Sequence, residues 1–210
     1  MKANRVEPKQ TSMAIFAKAP IEGFTKTRLI PRLGAAGAAE LQRALIARAI
    51  EVAKAAKLGP ISLWCAPDCT HPFFQEVAER YSITLHVQIG DDLGARMQNA
   101  FAALCSSMPV LLMGSDCVVI DAPLLTRCAD ALQNGRDAVF LPVEDGGYIL
   151  VGLNKPIPDL FHDMPWTTER VMPETRRRAS EIGLAIEEPE MLWDIDRTED
   201  YERALAAGFL

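Results

Sequence analysis

The chain has 210 residues, 49% hydrophobic and 24% charged, ordinary globular values that exclude a disordered polymer and allow one sizeable core. Its 28 acidic residues outnumber 22 Lys and Arg for a net charge of −6, which argues against a nucleic-acid partner. No apolar run approaches the roughly 18 residues of a membrane span, so a membrane partner is not expected and the protein reads as cytoplasmic.

Residues 1–12 are polar and lack the apolar stretch of a signal peptide, so they read as a disordered leader before a single domain over 13–210. A β-prone run at 13–18 predicts a strand, followed by a loop rich in Gly, Pro and Thr as far as Gly34. From 35 to 57, Leu41, Leu45, Ile46, Ala49, Val52 and Ala53 recur at helical spacing. A second strand is expected at 61–66, then a helix at 70–81 with Thr70 as N-cap and Pro72 in its first turn. A third strand at 83–89 leads to a helix at 93–105, which puts Met97, Ala100, Phe101 and Leu104 on one face. The near-continuous apolar run at 110–113 has the character of a central strand buried on both sides. A helix at 121–133, strands at 138–142 and 148–153, and helices at 168–182 and 198–207 complete the chain. This βαβα alternation predicts an α/β fold, a mostly parallel central sheet with helices on both faces. Ligands of such sheets lie beyond the carboxyl ends of the strands, so the residues that follow each strand carry the functional argument.

After the first strand, the loop carries Lys18, Lys26, Arg28 and Arg32 against Glu22 alone, a local excess of three positive charges on an acidic protein. Gly23 permits a tight turn, Thr25 and Thr27 offer hydroxyls, and Lys26 and Arg28 can neutralise phosphate oxygens. The spacing is neither a P-loop nor a dinucleotide fingerprint, and a solvated basic loop is the plain alternative. After the central strand comes Gly114-Ser115-Asp116. A carboxylate there is costly unless solvated, hydrogen-bonded or bound to a cation, and Mg²⁺ needs only one or two protein carboxylates. Capping of the next turn is the rival role for Asp116, weakened because Asp121 already stands where the following helix needs its cap.

Further along, Asp194-Ile195-Asp196 in an extended segment sends both carboxylates to one face. Either could bind metal, or Asp196 or Thr198 could cap the last helix. Between two strands, Glu144-Asp145-Gly146-Gly147-Tyr148 offers Asp145 as a general base and two glycine amides free to face an anion or sugar, with a simple β-turn as the alternative. Asp92 and Arg96, after the third strand, are candidates for the nucleotide, although Asp91 or Asp92 equally suits a helix cap. The five cysteines form no CxxC pair, and with three scattered histidines there is no zinc-ligand spacing. Reduced thiols are expected, with Cys117 a buried apolar residue rather than a nucleophile.

Six segments together resemble the GT-A-like nucleotide-diphospho-sugar transferases of largely unassigned function. They are F-A-K-A-P-x-x-G-x-T-K-T-R-L from Phe16, G-D-D-L-G-x-R-M from Gly90, G-S-D-C from Gly114, D-G-G-Y-x-L-x-G-L from Asp145, W-T-T-E-x-V from Trp166 and W-D-I-D-x-x-E-D from Trp193. The first is also similar to the loop of phospholactate guanylyltransferases and molybdenum-cofactor nucleotidyltransferases. The resemblance implies that Lys18, Gly23, Thr25, Lys26, Thr27, Arg28, Asp92, Arg96 and Ser115 hold nucleotide and phosphates. It implies that Asp116 with Asp194 or Asp196 holds Mg²⁺ or Mn²⁺, and that Gly146, Gly147, Tyr148, Trp166 and Thr167 face the acceptor or sugar. Asp145, Lys26 and Arg28 are the expected catalytic groups. Val118 replaces a usual proline, and Tyr148-Ile149 stands where the guanylyltransferases carry Thr-Asn, which separates this chain from their acceptors.

The expected activity is therefore a metal-dependent transfer from a nucleotide-sugar or nucleotide donor to a small-molecule acceptor. Glycosyl transfer leads, nucleotidylyl transfer with pyrophosphate release is the alternative, and a non-catalytic nucleotide-binding module is the third possibility.

Overall fold

The computed structural model describes residues 10–210. Seven strands form one sheet: β1 (Ser12–Lys18), β2 (Ile61–Ala66), β3 (Thr84–Val87), β4 (Val110–Gly114), β5 (Ala138–Pro142), β6 (Tyr148–Leu153) and β7 (Ile186–Glu187). Six α-helices accompany them: α1 (Ile30–Ala56), α2 (Pro72–Tyr81), α3 (Leu93–Leu104), α4 (Ala122–Gln133), α5 (Val171–Glu181) and α6 (Thr198–Ala206). The sheet order is β3-β2-β1-β4-β6-β5-β7, parallel throughout except for β6, which runs antiparallel to both neighbours. This is the α/β architecture expected from the alternation of elements.

Side-chain alternation explains how the sheet is covered on both faces. Met13, Ile15 and Ala17 enter one core with Leu111 and Met113, packed by residues of α1, α2 and α4. Ala14 and Phe16 enter the other with Val110 and Leu112, packed by residues of α3 and α5. Both sets are apolar because neither face of the inner strands meets water. A smaller cluster of Leu29, Leu41, Leu45, Val118, Ile195 and Ala204 ties the loop after β1 and the residues after β4 to the C-terminal segment.

Several expectations are corrected at the level of local chemistry. The leader expected over 1–12 lies outside the described residues for 1–9, whereas Thr11 and Ser12 are buried and hydrogen-bonded to the chain before β2 and β4. Backbone pairing thus begins before the apolar run does. The first helix begins at Ile30, ahead of the expected residue 35, with a break at Gly34, whose φ of 71° is open to glycine. The α2 cap is His71, not Thr70: its Nδ1 accepts from the Phe73 amide at 3.3 Å, while the Thr70 hydroxyl donates to Asp68 at 2.6 Å. The short β7 follows no detectable alternation and pairs with β5 through two residues. Asp121 does cap α4, its Oδ1 accepting from the Leu124 amide at 2.8 Å. No helix among the described residues is long and apolar enough to cross a membrane.

Candidate functional site

Strands β1 and β4 are parallel neighbours, with Phe16 opposite Gly114, so the loops leaving their carboxyl ends start side by side. The loop after β1 turns at Gly23, φ 80°, and then places Lys26 in the left-handed region at φ 46°. A non-glycine residue held there is under backbone strain, which persists only where surroundings fix it. Here they do. The Lys26 side chain is only 5% exposed, its ammonium lies 2.9 Å from Asp116 Oδ2, and it donates to the Ile195 carbonyl at 2.6 Å. One cation thereby joins the loop after β1, the end of β4 and the C-terminal segment.

The segment 194–196 behaves as its alternation requires. Ile195 is fully buried, and its amide donates to the Asp116 carbonyl at 3.0 Å. Asp194 and Asp196 both face the cleft, where Asp196 forms an ion pair with Arg28. Neither Asp196 nor Thr198 caps α6. That task falls to Asp200, whose Oδ2 accepts from the Asp196 and Arg197 amides at 3.1 and 2.7 Å. The carboxylate of Asp196 is thus left for the cleft.

Three cavities open on this cleft; one, about 420 Å³, lies between Asp145, Trp193 and Asp200, and two lie at the strand ends. Of these two, the polar one, about 560 Å³, is lined by Lys18, Thr25, Lys26, Thr27, Arg28 and Arg96, together with Ser115, Asp116 and Asp196. The adjoining one, about 390 Å³, runs between β4, β6, α3 and the 166–171 segment. Its floor is apolar (Phe16, Met97, Leu112, Tyr148, Val151), and its rim carries Asp116, Asp145, Asp194, Asp196 and Arg28. Gly147, Trp166 and Thr167 also line it.

Four carboxylates around one opening have an electrostatic consequence. Burial pushes the Asp194 carboxyl up to about 7, and Asp116 and Asp145 push the same way, as does Asp196 more weakly; Lys26 opposes them. Asp116, Asp194 and Asp196 could hold a divalent cation on this ground: with Asp145 they carry more negative charge than Lys26 and Arg28 offset, and Mg²⁺ needs few protein ligands. Among the described residues no preformed group of three metal-ligating side chains occurs, so any such ion would take remaining ligands from donor and water.

Other expectations change. Gly23 and Asp92 do not line any of these cavities. A Cβ on Gly23 would meet open space, and Asp92 Oδ1 caps α3 by accepting from the Ala95 amide at 2.7 Å. The amides of Gly146 and Gly147 are not free for an anion. They donate to the Val143 carbonyl at 3.0 Å and to Asp145 Oδ1 at 2.9 Å, closing the turn on itself. Gly146 is instead required by packing, since a Cβ there would collide with the Glu169 backbone. Cys117 is buried, its thiol pushed up to about 12 by that burial, as an inert apolar residue should be.

Three contributors escape the motif reading. Gln42, 3% exposed, sits on the otherwise apolar face of α1 and donates to Ser115 Oγ at 3.4 Å. Its polarity within that face is the available signal. Gln88 donates to the Trp64 carbonyl at 2.8 Å in the wall of the polar cavity, and Phe24 stands 80% exposed at its edge.

Residues 49–168 match the model of the family described as "uncharacterized protein conserved in bacteria (DUF2064)". The chain belongs to that family. No curated protein matches the chain. Among solved structures, it is similar to a "putative nucleotide-diphospho-sugar transferase" from Desulfovibrio desulfuricans G20, at 27% identity and TM-score 0.81, over 90% of this chain and 83% of that one. A 4-diphosphocytidyl-2C-methyl-D-erythritol synthase from Anaerococcus prevotii is 14% identical at TM-score 0.63, over 96% of this chain and 99% of the other. Glucosyl-3-phosphoglycerate synthase from Mycobacterium tuberculosis, solved with Mn²⁺ and UDP, is 12% identical at TM-score 0.58, over 95% and 76%. These last two likenesses establish the fold alone. The fold of this DUF2064 member is thus of GT-A type, a family and an architecture that agree with the resemblance carried by the six sequence segments.

Proposed function

We propose that this chain is a nucleotide-dependent transferase that binds a nucleoside-diphosphate-linked donor in the polar cavity, and that the donor is a nucleotide-sugar. The observation that carries this reading is the meeting of Lys26 with Asp116 at 2.9 Å, which sets the cationic turn after β1 against the carboxylate at the tip of the inner strand. Thr25, Thr27 and Ser115 supply neutral donors beside it. The likeness to the D. desulfuricans protein, described as a nucleotide-diphospho-sugar transferase, supports the choice of donor.

In this reading Lys26 and Arg28 exchange their carboxylate partners for the diphosphate as it departs with its electron pair. Such stabilisation of developing charge by preorganised groups is commonly the largest catalytic contribution. Asp116 with Asp194 or Asp196 would hold Mg²⁺ or Mn²⁺, which when bound neutralises diphosphate charge and orients the donor. Asp145 receives the proton of the acceptor hydroxyl. One of its oxygens accepts from the Gly147 amide at 2.9 Å, a bond that fixes the carboxylate at the rim.

Nucleotidylyl transfer is the second reading, favoured by the local excess of positive charge after β1, which suits a triphosphate. Products separate the two. Incubation with nucleotide-sugars or nucleoside triphosphates, in Mg²⁺ or Mn²⁺, is expected to yield nucleoside diphosphate; pyrophosphate release would establish the second reading instead. A thermal-shift panel of the same compounds identifies the base, because a ligand that binds the native state raises its melting temperature. Binding without turnover of any donor would leave a nucleotide-binding module.

A further inference from the structure

The proposed function leaves the acceptor open, and the apolar cavity beside the donor site bears on it. Resting on that reading, we infer that the acceptor is an uncharged alcohol with an apolar body, which buries the body against Phe16, Met97, Leu112, Tyr148 and Val151 and delivers its hydroxyl to the carboxylate rim. Three independent features of the cavity point this way.

The first is the wall. A floor of aromatic and aliphatic side chains without a charged group gives a ligand its affinity through removal of apolar surface from water, at about 25 cal/mol per Å². A volume of about 390 Å³ suits a small molecule and not a polymer. The second is charge. Asp116, Asp145, Asp194 and Asp196 line this cavity, and Arg28 is the one cation among its described lining residues, already paired with Asp196. Lys26, paired with Asp116 from the adjoining cavity, adds a second positive charge, so the four carboxylates leave at most −2; a bound divalent cation offsets that, and the donor diphosphate makes the site negative again. A phosphorylated or carboxylated acceptor would add repulsion in a confined site of reduced dielectric. The third is a pair of unpartnered polar atoms in the wall. Tyr148 Oη and Trp166 Nε1 are buried with no hydrogen-bond partner, and their rings meet edge to face at 6.3 Å. Burial drives the Tyr148 phenol far above its usual range, so it stays neutral. Neither group offers a charge to bind an anion.

The transfer balances. The acceptor oxygen forms the new bond to the transferred sugar carbon, the bond from that carbon to the diphosphate oxygen breaks, and its electron pair leaves on the diphosphate. The hydroxyl proton passes to Asp145.

The test compares two probes that share one body and differ in charge, benzyl alcohol and benzyl phosphate, by ligand-observed saturation-transfer NMR with titration, on the full chain without donor. Benzyl alcohol is expected to bind saturably at millimolar concentration, and benzyl phosphate at least tenfold more weakly. Ile149→Trp, which crowds the cavity wall, and Thr168→Trp, placed at its exposed mouth, should each weaken benzyl alcohol at least fivefold. Two substitutions guard against one that fails to fold. Equal or tighter binding of benzyl phosphate, absence of saturable alcohol binding, or indifference to both tryptophan substitutions overturns the inference. Nucleotide binding is measured separately: nucleotide binding without alcohol binding defeats only this inference, and the converse defeats only the proposed donor site.

Discussion

Lys26 and Asp116 lie 2.9 Å apart although ninety positions separate them in sequence, and the lysine holds this contact from a left-handed backbone with its side chain 5% exposed. Removing one member of a desolvated pair leaves the other uncompensated, a loss of about 3–5 kcal/mol for full burial and less here because Asp116 is 39% exposed. Lys26→Met is therefore expected to lower stability by roughly 2 kcal/mol, read as a shifted urea midpoint at unchanged slope. A midpoint within error of the parent would mean that the ammonium is solvated rather than structural.

Arg28 makes the complementary case. Its ion pair with Asp196 joins side chains 61% and 45% exposed, and exposed pairs contribute at most about 1 kcal/mol. Arg28→Ala should keep the urea midpoint while weakening nucleotide binding about tenfold or more, as expected for loss of a charge-assisted phosphate contact. An unchanged nucleotide dissociation constant, measured by calorimetry, would make the arginine a surface residue only.

The fold was legible because the inner strands are apolar on both faces and the helices carry one apolar stripe each. The same physics hid the short elements: β7 is two residues long and has too few side chains to show a period. At the site, Asp116 and the 194–196 alternation were readable because a carboxylate on an apolar strand, or two flanking a buried isoleucine, contradict their surroundings. The glycines at 146 and 147 were harder. Sequence identifies the turn, but whether its amides face outward depends on acceptors such as the Val143 carbonyl, which only the folded register brings close. Asp92 was ambiguous for a related reason, since capping and ligand binding demand the same side chain.

Gly146 and Gly23 offer a controlled comparison. Both have positive φ, 89° and 80°, so alanine at either carries a backbone penalty of about 1–2 kcal/mol. Only at Gly146 would the added carbon meet backbone, that of Glu169. Gly146→Ala should therefore destabilise by at least about 1 kcal/mol more than Gly23→Ala, because two backbone segments cannot both yield without cost. Equal urea midpoints would show that the 166–170 segment moves aside freely.

Asp194 gives a pH dependence whose sign follows from its raised carboxyl, at about 7 in the folded state. The folded protein binds this proton more tightly than the unfolded chain does, where an ordinary carboxylate titrates near 4. Stability contributed by the group therefore falls as pH rises from about 4 to 7 and is constant above that. Asp194→Asn cannot titrate and escapes the loss. In EDTA, its melting temperature relative to the parent should climb across that interval and level off near pH 8, several degrees above the difference at pH 4. Stability gained at a functional carboxylate should accompany lost transferase activity, since the substitution removes charge from the donor site. A melting-temperature difference that stays flat from pH 4 to 8 would show that Asp194 ionises normally, with neither burial nor its carboxylate neighbours raising it.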